Sequence, residues 1–323
     1  MEVLPPSRPT WRSILATTAI RAALTMFLVG LIVRFTVRDR FLVANTIYYA
    51  TPWSVLSGLA GFLSWRLRAR GVRPSRVAVL ALAAAACGTT WAFTSWSREA
   101  RSPAEGDVRI INWNLGHGNL GLAGLAKAAA ALNPDLAVFI EADPSSTDVR
   151  SVFRNAFPDR YVFLLGGGIV LVSRWPGGEA RAYEIGSEKT ETRIREIELA
   201  TPFGEWTVFA CDIAANQFYQ REPHLRELAK RAGLRKNPVI IIGDFNTPMD
   251  SVHLGLLRNM GLTEAFESAG SGYQPTWPVP CPVLSLDQIW LDARLQPISC
   301  SRHWSWRSDH AAAVAVIRPT SGI

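Results

Sequence analysis

The hydrophobic and polar positions follow two different patterns, one in the N-terminal part of the chain and another in the remainder. In the N-terminal part, residues 41–65 and 77–96 are apolar and uncharged, and each stretch has the ~20 residues that span a bilayer. A third apolar stretch, about 14–36, carries Arg21 and Arg34 near its ends, where long cationic side chains reach the membrane interface. We predict transmembrane helices at all three stretches, with an amphipathic interfacial helix as the alternative for 14–36.

The remainder alternates short apolar strands with helices, as in the stretch NPVIIIGDFNTPMD at 237–250. Four aliphatic residues from Val239 to Ile242 predict a strand buried on both faces, and the two-residue period places Asp244 and Asn246 on one side. Because several strands follow one another through turns, we expect an α/β sandwich with mixed sheets. We predict strands or hairpins over 108–115, 136–143, 161–176, 192–213, 238–245, 286–292 and 311–317, and helices over 122–135, 222–234 and 253–262.

These patterns divide the chain into a membrane anchor over 1–97, a linker over 98–106 and an α/β domain over 107–323. The loop RLRARGVRPSR, between the apolar stretches 41–65 and 77–96, holds five arginines from Arg66 to Arg76. The positive-inside rule places this loop in the cytoplasm, so the last helix runs outward. We therefore expect a multi-pass protein of the cell membrane whose α/β domain lies on the extracytoplasmic side.

The formal net charge of +7 belongs to the anchor rather than to the α/β domain. Residues 1–97 hold 11 basic and 2 acidic residues, which leaves 23 basic and 25 acidic residues, a net −2, for residues 98–323. Such a domain lacks the basic surface of a dedicated DNA-binding protein, although a local basic groove stays open. Cys281 and Cys300 could form a disulfide in an oxidising compartment, and the sequence leaves that pairing open.

Polar side chains stand at the ends of several predicted strands. In a layered α/β fold the strand ends meet at one rim, and carboxylates, amides and a histidine gathered there would bind a divalent metal through oxygen atoms. Each residue alone has an ordinary explanation as a turn residue or a loop acid. Their joint occurrence indicates a site. These residues are Asn114, Glu141, Asp244, Asn246, Asp287, Asp309 and His310.

The motifs IINWNLG, IEAD, GIVLVSRWP, IIIGDFNTP, LDQIWL and SDHAAAVAV occur in this order across residues 108–317. This series resembles the endonuclease/exonuclease/phosphatase superfamily, which includes deoxyribonuclease I, abasic-site endonucleases, neutral sphingomyelinases and inositol-polyphosphate 5-phosphatases. GDFN followed by SDH is a specific combination, and the resemblance covers the α/β domain but not the anchor. It implies a four-layered α/β sandwich of two mixed β-sheets flanked by helices, here in a membrane-anchored, bacterial-type member.

The resemblance also implies Mg²⁺-dependent hydrolysis of a phosphate ester. Asn114, Glu141 and Asp309 match the metal-binding positions of the family. Hard oxygen ligands suit Mg²⁺, with Mn²⁺ as an alternative, and the ion would neutralise charge on the phosphoryl oxygens.

Four further residues match catalytic positions of the family. Asp244 matches the residue that orients or deprotonates the attacking water, with Asn246 beside it. His310 matches the histidine that contacts the scissile phosphate. Asp287 matches the carboxylate that orients this histidine, and a carboxylate there would favour the imidazolium form.

The sequence departs from the family pattern at Asp212, where many members have a histidine at the end of the strand. An acid there would donate a proton to the leaving oxygen only if its pKa were strongly raised, although it could bind metal. We keep Asp212 as a catalytic candidate. Gln288, where a histidine or tyrosine commonly follows the aspartate, is a smaller departure.

We therefore expect a membrane-anchored phosphoesterase acting on a nucleic acid, a phospholipid or an inositol phosphate. The bilayer is the other expected partner, and no obligate protein partner is indicated. The alternative, suggested by Asp212, is a non-catalytic binding or envelope protein that retains the fold. Four aromatic residues flank the site segments and could stack on bases or touch lipid headgroups, with packing under loops as the alternative. They are Tyr273, Trp277, Trp304 and Trp306.

Overall fold

A computed structural model describes residues 11–144, 147–186, 192–216 and 219–320 of the chain. The chain forms two compact units, Met1–Phe93 and Thr94–Ile323. The described part of the first unit is helical. Its helices are α1 (Trp11–Phe35), α2 (Leu42–Ala50), α3 (Trp53–Ala69) and α4 (Pro74–Ser95), the last of which extends to the start of the second unit.

Length and composition qualify α1 and α4 for crossing a membrane. The stretch predicted as one helix over 41–65 instead forms α2 and α3, separated at Thr51 and Pro52. Proline lacks an N–H donor and disfavours the helical conformation of the preceding residue, so the helix breaks here. Arg34, expected at the interface, is buried and donates hydrogen bonds to the Thr51 carbonyl at 3.0 Å and the Tyr48 carbonyl at 3.1 Å. Its guanidinium satisfies carbonyls beside the break.

The second unit contains three sheets and five α-helices in its described residues, besides 3₁₀ turns at Gly116–Gly118 and Val252–Leu254. Its strands are β1 (Trp96–Arg98), β2 (Val108–Asn114), β3 (Leu136–Ile140), β4 (Tyr161–Gly166), β5 (Ile169–Ser173), β6 (Arg181–Ile185), β7 (Thr192–Thr201), β8 (Gly204–Asp212), β9 (Val239–Asp244), β10 (Thr263–Glu264), β11 (Ser271–Tyr273), β12 (Asp287–Leu291), β13 (Leu295–His303) and β14 (Ala312–Pro319). Its helices are α5 (Leu122–Ala131), α6 (Val149–Ala156), α7 (Glu222–Gly233), α8 (Gly255–Asn259) and α9 (Ala265–Ala269).

Two mixed six-stranded sheets form the centre of this unit, which confirms the predicted fold class. Sheet I has the order β10-β12-β9-β8-β7-β6, and sheet II has the order β13-β14-β2-β3-β5-β4. The pairs β8–β9 and β2–β3 are parallel, and the other pairs in these sheets are antiparallel. A two-stranded sheet joins β1 to β11.

Side chains of β9 alternate between two hydrophobic cores. Ile240 and Ile242 pack in the core between the sheets, whereas Val239 and Ile241 pack in the core that sheet I forms with α7 and α8. A third core lies between sheet II and helices α5 and α6. The second unit is therefore layered helix, sheet, sheet, helix, and β9 is buried on both faces as predicted.

Two features near the edges of the sandwich bear on the expected linker and on the cysteines. Part of the segment expected as a linker is bound to the second unit, since Glu99 N donates to the Gly270 carbonyl at 2.9 Å and Arg101 N donates to the Ile298 carbonyl at 2.8 Å. The pairing that the sequence left open is absent, because all four cysteines are free. Cys300 is buried in β13, and Cys281 is exposed in a loop.

Candidate active site

The inward-facing row of β9 ends in a carboxylate at one edge of the sandwich. Ile240 and Ile242 face the core between the sheets, and the next position with the same orientation is Asp244. The register places Asp212 of β8 on one side of Asp244 and Asp287 of β12 on the other. Three buried carboxylates therefore lie side by side where the apolar core ends.

The facing strand of sheet II ends in two buried asparagines. Ile110 faces the core between the sheets, and Asn112 and Asn114 follow it at intervals of two. Asn112 Nδ2 donates to the Gly243 carbonyl at 2.7 Å, and Asn114 Nδ2 donates to Asp244 Oδ2 at 3.0 Å. These side chains join the two sheets at the site.

Gly243 precedes Asp244 because β8 and β9 approach each other closely there. A Cβ atom on Gly243 would lie 1.8 Å from the Cys211 carbonyl oxygen, well inside any allowed contact. A residue with a side chain would force the two parallel strands apart just before Asp212 and Asp244. The glycine of the GDFN motif is therefore required by strand packing.

His310 and Asp287 form a buried pair at the centre of the site. His310 Nδ1 lies 2.8 Å from Asp287 Oδ2, and His310 Nε2 lies 4.0 Å from Asp244 Oδ2. Burial by itself lowers the pKa of His310, but the charge of Asp287 and its hydrogen bond outweigh it and raise the pKa to about 10. The imidazole is therefore protonated at neutral pH and is held between two acids.

The Asp244 carboxylate is fixed by hydrogen bonds but remains hard to ionise. Asn246, which has a φ of 44°, donates its backbone N–H to Asp244 Oδ1 at 2.8 Å, and its side-chain Nδ2 donates to the Ile213 carbonyl at 2.8 Å. Burial and then the neighbouring charge of Asp287 raise the pKa of Asp244 to about 6. This is the range of a base that works near neutral pH.

Asp212 has a cationic partner that the sequence analysis did not identify. Arg193, opposite Asp212 in the β7–β8 register, places Nη1 3.3 Å from Asp212 Oδ2. Burial, followed by the charges of Asp244 and Glu141, nevertheless raises the pKa of Asp212 to about 8. A raised pKa is the condition under which an acid at this position can donate a proton.

Glu141 follows β3 directly and lies at the solvent-exposed side of the site. Its backbone has a φ of 54°, which turns the chain out of the strand direction. His117, in the loop after β2, contacts it with Nε2 3.4 Å from Glu141 Oε2, while His117 Nδ1 lies 2.9 Å from Asp143 Oδ1. The hydrogen bond to Asp143 outweighs desolvation and, with the charge of Glu141, raises the pKa of His117.

Asp309 lies against the loop that follows β2. Trp277 donates its indole N–H to Asp309 Oδ2 at 3.2 Å. A Cβ atom on Gly116, which has a φ of 55°, would lie 3.0 Å from Asp309 Oδ1. Gly116 N in turn donates to Asn114 Oδ1 at 2.9 Å. Asp309 is therefore within one loop of Asn114, and its charge is among those that raise the pKa of His310.

The described residues offer two different sets of metal-ligating atoms. Asp244, Asp287 and His310 each offer one atom within 4.8 Å of the others. Both ring nitrogens of His310 face carboxylates, however, so this set is better suited to hold an imidazolium than a metal ion. The other set, Asn114, Glu141 and Asp309, supplies amide and carboxylate oxygens, and that chemistry fits Mg²⁺.

The structure gathers all the sequence-derived candidates at one edge of the sandwich, and it adds His117 and Arg193. Two observations in the sequence could have revealed these additions. His117 follows the predicted strand end at Asn114 by three positions. Arg193 would have been placed opposite Asp212 by the short turn between β7 and β8. Gln288, by contrast, is structural, because it donates to the Thr247 carbonyl at 2.7 Å and accepts from the Trp290 indole at 2.9 Å.

Comparison with known proteins identifies a family and several solved structures of the same fold. The model of the Endonuclease/Exonuclease/phosphatase family matches residues 111–310. Among curated proteins, none matches the chain.

Solved structures are similar to about two thirds of this chain. An endonuclease/exonuclease/phosphatase from Beutenbergia cavernae has a TM-score of 0.53 at 16% identity, covering 67% of this chain and 72% of that one. One from Bacteroides vulgatus has a TM-score of 0.55 at 12% identity, covering 66% of this chain and 99% of that one. TDP2 from D. rerio, crystallised with a single-strand DNA product, has a TM-score of 0.51 at 14% identity, covering 66% of this chain and 100% of that one. At these identities the structures establish a shared fold.

Proposed function

Because the chain belongs to the endonuclease/exonuclease/phosphatase family, whose members hydrolyse phosphate esters, we propose that it is a Mg²⁺-dependent phosphoesterase anchored in the cell membrane. Its substrate is a nucleic acid, a phospholipid or an inositol phosphate. The observation that supports this chemistry most strongly is the buried array of Asp287, His310 and Asp244, with spacings of 2.8 and 4.0 Å. It combines a charged donor and a base within one cluster.

The metal site consists of Asn114, Glu141 and Asp309, whose side chains offer oxygen ligands. Mg²⁺, or Mn²⁺ in its place, would neutralise the charge on the phosphoryl oxygens when bound. Asn114 also holds Asp244 through its amide N–H, so the same side chain positions the base.

The remaining residues carry the proton movements. Asp244 accepts a proton from the attacking water as the water oxygen bonds to phosphorus, and the Asn246 backbone N–H keeps its carboxylate oriented. The bond from phosphorus to the leaving oxygen breaks, and that oxygen keeps the electron pair. Asp212 supplies the proton that the leaving oxygen takes, while His310 donates its Nε2–H to a phosphoryl oxygen.

The proposed location rests on the first unit. Helices α1 and α4 have the length and composition of membrane spans. Five arginines from Arg66 to Arg76 surround the start of α4, which favours a cytoplasmic start and an extracytoplasmic end for this helix. The second unit, which holds the candidate active site and is called the catalytic unit from here on, follows α4 and therefore lies outside the cytoplasm.

The second candidate function is non-catalytic binding with a retained fold, and Asp212 in place of a histidine is the observation that favours it. Hydrolysis distinguishes the two candidates. The purified full chain in detergent should cleave bis(p-nitrophenyl) phosphate with Mg²⁺ present. Asp244→Asn should lower kcat by about 10²-fold or more, because it removes the base. The exposed Asp159→Asn serves as the matched control, with an unchanged rate. Absence of hydrolysis by the wild-type chain would favour the binding protein.

A further inference from the structure

The candidate membrane helix α4 continues directly into a strand of the catalytic unit. Helix α4 ends at Ser95, and β1 begins at Trp96 with no residue between them. Strand β1 pairs antiparallel with β11, with Trp96 opposite Tyr273. The Gln274 N–H donates to the Ser95 carbonyl at 2.8 Å, which extends the pairing to the last residue of the helix. Ser95 and Trp96 are therefore both held to the segment around Tyr273 by backbone pairing.

The strand that receives β1 leads straight to the candidate active site. Trp277, which hydrogen-bonds to Asp309, follows Tyr273 by four residues, a chain length of about 13 Å at the rise of an extended strand. Thr276 fixes this segment to the site, because its carbonyl accepts from Ala311 N at 2.8 Å and its hydroxyl accepts from Asp287 N at 3.2 Å. The anchored strand and the metal-site residue Asp309 are thus joined through a short, hydrogen-bonded segment.

Aromatic side chains near the end of α4 and near Asp309 have the character expected at a membrane interface. The rings of Trp96 and Tyr273 are 4.4 Å apart, immediately after the apolar helix. Tryptophan and tyrosine are enriched where membrane proteins cross from hydrocarbon to headgroups. Trp306 is 81% exposed and Trp304 is 41% exposed, in the segment just before Asp309. Two exposed tryptophans beside a site suit contact with a lipid surface.

We infer that the substrate of this site is a phosphate ester carried by the bilayer itself, at the headgroup of a phospholipid. The inference rests on the proposed function, and it adds a substrate class. Trp277 lies four residues, about 13 Å of extended chain, from the residue that pairs with Trp96, so the site would meet headgroups of the same leaflet at high effective concentration. A soluble polymer has no such advantage.

The reaction at a phospholipid follows the chemistry proposed above. The water oxygen bonds to phosphorus, and one ester bond to the lipid alcohol or to the headgroup alcohol breaks. The departing alcohol oxygen keeps the electron pair and takes one proton. That proton comes from Asp212, Asp244 takes one proton of the water and passes it to solvent, from which Asp212 is reprotonated, and the other proton of the water stays on the phosphate product.

The test compares two chains that differ in the tether alone. The full chain is reconstituted in vesicles of phosphatidylethanolamine and phosphatidylglycerol with Mg²⁺, and release of water-soluble or lipid-soluble products is measured. A flexible Gly/Ser segment of about 20 residues inserted between Ser95 and Trp96 should lower this lipid hydrolysis by about tenfold, because it dilutes and disorients the site over the leaflet. The same insertion in the β7–β8 turn, between Pro202 and Phe203, is the matched control. Strand register places that turn at the opposite end of β8 from Asp212.

Hydrolysis of bis(p-nitrophenyl) phosphate by the same samples separates the two proposals. We expect this soluble diester to be cleaved equally by the wild-type chain and by both insertion variants. Soluble diester cleavage without lipid cleavage, or a preference for added DNA or RNA over the vesicle lipid, would overturn the lipid inference and leave the phosphoesterase. Lipid cleavage unchanged by the Ser95 insertion would overturn the tether argument. If the wild-type chain cleaved neither the soluble diester nor the lipid, the proposed function and the lipid inference would both be overturned.

Discussion

At the scale of single residues, the charge state of His310 depends on one carboxylate. His310 is buried, and burial alone would lower its pKa from 6.5, whereas Asp287 raises the pKa to about 10. The protonated form in the folded enzyme therefore persists through neutrality and is lost only as the pH approaches about 10. In the proposed mechanism this proton forms the contact with the phosphoryl oxygen, so activity should follow it.

We expect Asp287→Asn to move the alkaline limb of the pH profile of kcat to lower pH. The amide keeps a hydrogen-bonding shape but removes the charge, so the pKa of His310 falls toward or below its ordinary value of about 6.5. The variant should lose activity as the pH rises through neutrality, while the wild-type chain holds its activity to higher pH. An unshifted profile would show that the carboxylate does not control His310.

We expect His310→Ala to lower kcat by about 10²-fold or more, and by more than Asp287→Asn does. The double variant should be little worse than His310→Ala alone, since residues that act as one unit are strongly non-additive. Rates for all three variants on one diester substrate measure this. A double variant whose loss equals the product of the single losses would mean that the two residues act separately.

The sequence predicted these residues, but not the environment that sets their protonation. Asp212 was identified as a departure from the family pattern, yet its raised pKa depends on burial and on Asp244 and Glu141, which are distant in the chain. The contact of His117 with Glu141 and Asp143 likewise depends on the left-handed backbone of His117 itself, which has a φ of 56°. Such effects arise from tertiary packing and leave little trace in a single sequence.

At the scale of elements, strands with a recognisable hydrophobic pattern were predicted, whereas β6 and β13, at the edges of the sheets, were missed. Strand β9 was recognised from four aliphatic residues, whereas β6 reads RAYEI and β13 reads LQPISCSRH. These two strands lie at the edges of their sheets, where one side is exposed and the hydrophobic pattern weakens. The break in 41–65 was also missed, although Pro52 was its signal.

The close approach of β8 and β9 gives a prediction at this scale. Gly243→Ala should destabilise the second unit by several kcal/mol, about the size of a severe packing defect, because its Cβ would lie 1.8 Å from the Cys211 carbonyl oxygen. Urea unfolding and kcat of the purified full chain should both report the defect. Gly255→Ala is the matched control, since a Cβ there meets nothing within 4 Å. Equal stability of the two variants would contradict the packing argument.

At the scale of the whole molecule, the arginine loop predicts the orientation. The loop precedes α4 directly, so the proposed direction of α4 does not depend on how α2 and α3 sit in the membrane. A protease added outside spheroplasts should therefore degrade the catalytic unit and leave the loop from Arg66 to Arg76 intact, as detected by epitope tags at each place. Detergent should then expose the loop. A catalytic unit cleaved only after detergent treatment would reverse the orientation.

Metal-assisted hydrolysis is the central step of the proposed function, and removing the metal from the protein is its sharpest test. The purified full chain is treated with EDTA and assayed on bis(p-nitrophenyl) phosphate while Mg²⁺ is titrated back. We predict that chelation abolishes hydrolysis, that Mg²⁺ or Mn²⁺ restores it, and that Glu141→Gln needs about tenfold more Mg²⁺ because it loses a charged ligand. The exposed Glu205→Gln should behave as the wild-type chain does. Full activity after exhaustive chelation would contradict the account.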